Sequence, residues 1–118
     1  MIIADSSVWI GHLRSANAQL SALLEMGEIA THDFVIGELA LGSLRKRDFI
    51  LQALQDLPQA THADEKEVLH FIATHNLYNS GIGYVDAHLL ASARLSSALL
   101  WTGDKRLHAA ATRLELAY

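Results

Sequence analysis

Met1-Ile2-Ile3-Ala4-Asp5-Ser6-Ser7 opens the chain with four apolar residues and closes that run on an acid followed by two hydroxyls. The run is too short for a helix, and the paired β-branched Ile2-Ile3 favours a buried strand. Asp5 then stands where a strand gives way to the next element. A second stretch repeats the design: Ala98–Thr102 reads as a strand, and Gly103-Asp104 leads into a helix over Asp104–Leu114. Between them, helical spacing alternates with short apolar runs. Ser6–Leu13 and Asn17–Met26 read as helices, the latter stopped by Gly27. Glu28–Thr31 reads as a second strand, followed by a helix to Leu44 with Asp33 as its cap. Arg47–Leu57 carries Ile50, Leu51, Leu54 and Leu57 at helical spacing and is ended by Pro58. Gln59–Thr61 is a candidate third strand, Asp64–Asn76 and Gly83–Ser96 are helices, and the tail offers a last strand. Strands alternating with helices predict an α/β fold with a parallel sheet, in one domain spanning 1–118.

Composition sets bounds on function. Half of the chain is hydrophobic (51%) and 19% is charged, as in ordinary globular proteins. It has no cysteine, which removes disulfides and thiolate metal sites. No apolar run approaches the ~20 residues that cross a bilayer, and Asp5 arrives too early for a signal-peptide core, so a cytoplasmic protein is expected. The formal charge of −4 disfavours non-specific binding to phosphates. Cations nevertheless bunch at Arg45-Lys46-Arg47 and Lys105-Arg106, with Arg14 apart. The basic triplet reads as a solvated helix end, and Lys105-Arg106, directly after Asp104, as the better phosphate contact.

Four acids stand apart from the rest. Glu38 lies within Phe34-Val35-Ile36-Gly37-Glu38-Leu39-Ala40-Leu41-Gly42, where a helix would surround it with Phe34, Val35, Leu41 and Gly42. A carboxylate on such a face is costly unless it reaches water, is paired, or binds a metal. Asp86 shares a helical face with Ile82, Gly83, Leu89 and Leu90, although a place in the first helical turn also suits it. Asp5 and Asp104 follow strands and equally suit helix N-caps. Both also occupy the carboxyl ends of strands, where open α/β sheets bind ligands.

Convergence of these acids would be unfavourable without a cation. Two carboxylates ~4 Å apart repel by roughly 4 kcal/mol at an effective dielectric of about 20. Hard oxygen donors suit Mg²⁺ or Mn²⁺ rather than zinc, and the matching chemistry is metal-assisted phosphodiester hydrolysis. The seven histidines (His12, His32, His62, His70, His75, His88 and His108) form no i, i+4 pair and read as scattered surface groups. Trp9 and Trp101 read as core residues.

Four segments in order resemble PIN-domain ribonucleases: Ile2–Ile10, Val35–Gly42, Gly81–Ala93 and Leu100–Leu107. They are most similar to the VapC-type toxins of bacterial toxin–antitoxin pairs. The resemblance implies a PIN-like three-layer sandwich whose central parallel sheet has the order 3-2-1-4-5. It implies Mg²⁺- or Mn²⁺-dependent RNA cleavage, with Asp5, Glu38, Asp86 and Asp104 as catalytic and metal-binding acids and Ser7 and Thr102 as supporting hydroxyls. Lys105, Arg106 and Arg14 are the candidates for substrate phosphate. It further implies a homodimer, inhibited by an antitoxin whose C-terminal segment wraps a hydrophobic groove, with operator DNA contacted only through that antitoxin. Gly11 and Gly103 depart from the family pattern; close relatives often carry arginine at the latter position.

Four other functions compete. A receiver-like Mg²⁺-binding signalling domain needs an acid pair at the first strand end, as does a two-aspartate phosphatase, but Ser6-Ser7 follow Asp5. A non-catalytic interaction module would use the acids as caps and rim charges. A flap-endonuclease-like DNA activity would need more chain to grip its substrate. On the nuclease reading, Asp5→Ala is expected to abolish cleavage while the metal-free fold holds or gains stability; on the capping reading it costs ~1 kcal/mol.

Overall fold

In the computed structural model, which describes residues 1–118, the opening run forms strand β1 (Ile2–Ala4), buried along its whole length. Helix α1 (Ser6–Arg14) follows at once, then α2 (Ala18–Glu25), β2 (Ile29–Ala30), α3 (Asp33–Ala40) and α4 (Arg47–Gln55). The second half holds α5 (Glu65–Thr74), α6 (Tyr84–Leu95), β3 (Leu99–Trp101) and α7 (Lys105–Arg113). β1 lies in the middle of a parallel sheet ordered β2-β1-β3. Ile2 pairs with Ile29 and Leu99, and Ala4 reaches Trp101. A strand with parallel neighbours on both sides and helices over it has no solvent face, which explains why β1 is apolar without alternation.

The expected outer strands are present only as single parallel bridges. Thr31 pairs with Gln59 and Leu100 with Ala117, extending the order to the 3-2-1-4-5 arrangement. On the β2 side, Thr31 N–H donates to Pro58 at 2.8 Å and Ala60 N–H to Thr31 at 2.8 Å. Pro58 has no N–H to continue a ladder, which helps to keep that edge short.

Three local expectations are corrected. His32, not Asp33, caps α3: its Nδ1 accepts from Phe34 N–H at 2.9 Å, and Asp33 is the first helical residue. α3 ends at Ala40 rather than Leu44, because Gly42-Ser43 is a weak helix former and Leu41, 91% exposed, gains nothing from packing. Trp9 is buried as expected, but Trp101 is only partly so and packs on Tyr118 at the sheet edge, ring centroids 5.1 Å apart.

Three of the seven histidines, His32, His62 and His88, are not scattered but gather around Phe34. His32 and His88 are buried. His32 stacks on His62 at 4.2 Å, and Phe34 meets His88 at 4.7 Å. The sequence offered no periodic signal for this group, since it is assembled from α3, α6 and the segment before α5. Burial, reinforced by the charge of neighbouring His62, pushes the His32 pKa down to about 4. With Nδ1 accepting the cap hydrogen bond, Nε2 carries the proton and faces Ser92 Oγ at 3.1 Å.

Candidate active site

Parallel strands place their carboxyl ends on one edge of the sheet, and Asp5 and Asp104 follow two adjacent ones. Asp5 is the most enclosed of the four acids, 6% exposed. Its Oδ1 caps α1 by accepting from Val8 N–H at 3.3 Å and also accepts from Ser7 Oγ at 2.5 Å. Its Oδ2 accepts from Thr102 Oγ1. Each hydroxyl is used twice. Ser7 Oγ accepts from Gly103 N–H at 2.9 Å, and Thr102 Oγ1 accepts from Asp104 N–H at 3.0 Å. Two short hydroxyls thereby tie the turn after β3 to the turn after β1 and fix the Asp5 carboxylate between them.

Asp104 is exposed and caps α7, its Oδ1 accepting from Arg106 N–H at 2.9 Å and Leu107 N–H at 3.0 Å. The capping geometry leaves Oδ2 free. Asp86 sits in the first turn of α6, half-buried, with Oδ2 accepting from Gly83 N–H at 3.0 Å. Partial burial raises its pKa most; the charges of Asp104 and Asp5 raise it further, against the Gly83 hydrogen bond. Glu38 approaches from α3. Although exposed overall, it accepts from Ser6 Oγ at 3.3 Å, which directs its carboxylate towards the start of α1. Its pKa is likewise raised, first by desolvation and then by Asp86 and Asp5, with Ser6 opposing.

The four acids are thus electrostatic neighbours that share one edge of the sheet. They do not form a closed cage: no three Asp, Glu or His side chains are close enough together to hold one ion. Asp86, Asp104 and Glu38 each keep an oxygen outside the hydrogen bonds described. Ser6 was not singled out from the sequence; its only signal was adjacency to Asp5, which also suits a cap.

The candidate phosphate contacts separate into two places. Lys105 and Arg106 are exposed at the start of α7, beside Asp104. Arg106 lies across the loop before α6, and a Cβ at Gly81 would come within 2.8 Å of its Cδ. Gly81 also has φ +81°, a left-handed backbone that favours glycine. Arg14 ends α1 and lines a groove with Glu38. At Gly103 a Cβ would make an ordinary 3.4 Å contact with Ser7 Oγ.

This arrangement has a match that covers nearly the whole chain: the PIN domain family model aligns with residues 2–113. The chain belongs to the PIN-domain family. It is 49% identical over 111 residues to Ribonuclease VapC32 from two strains of Mycobacterium tuberculosis, an alignment covering 93% of this chain and 90% of each relative. It is a homologue of the VapC ribonucleases. Among solved structures, FitAcB from Neisseria gonorrhoeae superposes with TM-score 0.66 at 22% identity, covering 99% of this chain and 95% of that one. FitAB bound to an IR36 DNA fragment gives 0.62 at 19% identity, covering 99% and 92%. At these identities the two structures speak for the fold alone, and it is the fold described above.

Proposed function

We propose that this PIN domain is a divalent-metal-dependent endoribonuclease, the toxin of a toxin–antitoxin pair, with Asp5, Glu38, Asp86 and Asp104 as its catalytic and metal-binding acids. The observation that carries the reading is a carboxylate, Asp5, buried and fixed at the strand end, with Glu38 and Asp86 both near enough to feel its charge; desolvation first, and neighbouring carboxylates second, push the pKa values of both up. Such an arrangement is unfavourable without a counter-charge, and hard oxygen donors suit Mg²⁺ or Mn²⁺. Mg²⁺ generally keeps several waters and takes one or two carboxylates from the protein, and Asp86, Asp104 and Glu38 each keep an oxygen free to offer one. When bound, the ion supplies charge neutralisation at the phosphate and a more acidic water.

The protein's own groups do the rest. Asp5, held by Ser7, Thr102 and the Val8 N–H, is a rigid anchor. Asp86 and Glu38, each with an oxygen outside its hydrogen bond, are the members placed to accept a proton from attacking water. The water oxygen bonds to phosphorus, the ester bond to one ribose oxygen breaks, and that oxygen leaves with a proton from solvent. Lys105 and Arg106 are placed to meet phosphate on the Asp104 side.

The protein works in the cytoplasm on this reading, with a cognate antitoxin as inhibitor, operator DNA contacted through that antitoxin, and a homodimer as the assembled form. The relationship to Ribonuclease VapC32 supports the activity, and the FitAB–DNA complex is a fold relative that assembles on DNA. No helix is long and apolar enough to cross a membrane. The test is digestion of total RNA by purified protein with Mg²⁺ or Mn²⁺, beside EDTA and Asp5→Asn controls. Metal-dependent cleavage lost in both controls is expected; cleavage that survives both overturns the assignment.

A further inference from the structure

A groove of about 890 Å³ begins at Glu38 and runs between α1, α3 and the start of α4. Its wall carries Arg14, Arg45 and Lys46, three of only nine Lys and Arg residues in an acidic chain. No Lys or Arg side chain of the protein takes part in a close ion pair, so these three are free to meet an anion. Lys46 is held in left-handed backbone (φ 51°) ahead of α4, with no side-chain cap. Phe49, 71% exposed, projects beside these cations, and Ile10 and Leu13 line the same groove. A cationic groove with an accessible aromatic ring is the chemistry that holds single-stranded nucleic acid: phosphates track the charges and a base stacks on the ring.

We infer that single-stranded RNA reaches the acids along this groove, its phosphates on Arg14, Arg45 and Lys46 and a base on Phe49. The inference rests on the ribonuclease reading of the same site. It resolves a conflict, since the acids repel the phosphate they must process and the net charge gives no general attraction. The strand leaves past Lys105 and Arg106 on the β3 side, so the acids meet it between two sets of cations. These groove residues are positioning residues. They set affinity and register and stay away from the reacting phosphorus.

The test uses the full-length protein and a fluorescent single-stranded oligoribonucleotide containing a sequence that the wild type cuts, or any mixed sequence if it cuts none. The variants are Arg14→Gln/Arg45→Gln/Lys46→Gln, Phe49→Ala and Phe49→Trp, with Lys66→Gln/Arg113→Gln as a remote control of folding and charge. The triple variant and Phe49→Ala should each raise KM tenfold or more while kcat stays within about twofold, and Phe49→Trp should restore KM. Removing three phosphate contacts should flatten the log–log salt dependence of RNA binding by about 2, at roughly 0.7 per contact. The remote control should change none of these. Anisotropy measured without metal reads binding even if no cleavage occurs, which separates failure of this inference from failure of the ribonuclease assignment. Unchanged RNA affinity and salt slope in the triple variant overturn the track. So does an effect of the substitutions confined to a protein partner.

Discussion

Asp5 does two things at once. As the α1 N-cap it stabilises the fold, and as a buried carboxylate it stands at the centre of the acids. The expectation that Asp5→Ala leaves stability intact therefore does not survive the geometry: removal strips the cap and orphans two hydroxyls. Its cost is predicted at about 1–3 kcal/mol in urea unfolding, whereas Asp5→Asn keeps an acceptor and costs less. Loss of cleavage in both variants, at different stability, separates chemistry from folding. Thr102→Val is the sharper probe, since it keeps shape but takes the donor from Asp5 Oδ2. It should cost about 1–3 kcal/mol and weaken metal binding, read by calorimetric titration. Glu38→Gln has the opposite sign on stability. Desolvation and the charges of Asp86 and Asp5 raise the pKa of Glu38, so its ionised form opposes the metal-free fold. The variant should melt higher than wild type in EDTA, yet gain less from Mg²⁺ and cleave no RNA. A lower melting temperature in EDTA would show that the acids are too far apart to repel.

At the scale of elements, β1, β3 and the helices after them were legible because short apolar runs ending in Asp state both the strand and its cap. Glu38 and Asp86 drew notice as charges inside apolar helical stripes; Asp86 lies in the first helical turn that also suits it, and Glu38 reaches the surface, so the stripe alone did not decide their place. Ser6 and the histidine cluster were not legible, since their partners come from distant segments and no local periodicity encodes them. The cap of α3 shows the limit. Both His32 and Asp33 can cap, and the choice falls to His32 because its ring also reaches Ser92 and stacks on His62. That choice has a pH consequence. The folded pKa of His32 is depressed to about 4 from an ordinary 6.5. Between these values the unfolded chain binds a proton that the folded chain refuses. The contribution is fully present above about pH 6.5 and is lost as pH falls towards 4, on the order of 3 kcal/mol in all. Urea unfolding at pH 7.5 and 4.5 should therefore show a larger loss for wild type than for His32→Asn, which keeps a capping side chain without the titrating ring. Equal losses would place the pH sensitivity elsewhere.

For the whole molecule, the decisive quantity is the coupling between the acids and a core built on three short strands. All 29 buried apolar residues form one cluster, with Ile3, Ala4, Leu100 and Leu107 directly beneath the turns that carry Asp5 and Asp104. A cation that relieves repulsion at those turns would stabilise the folded chain as a whole, because the turns are continuous with strands of that one core. The gain follows mass action and reaches about 2.7 kcal/mol at a hundred times the dissociation constant. In a chain of this size that corresponds to roughly 10 °C in melting temperature. Thermal melts across a Mg²⁺ series should rise with the logarithm of concentration once the site fills, and Mn²⁺ should act similarly. The rise should be small in Asp5→Asn and Asp86→Asn, and unchanged in the triple variant of Arg14, Arg45 and Lys46. Those three cations lie along the groove and would bind the substrate, not the ion. A melting temperature indifferent to Mg²⁺ and Mn²⁺ in the wild type would mean that the acids tolerate one another unaided, and the metal-dependent mechanism would have no site.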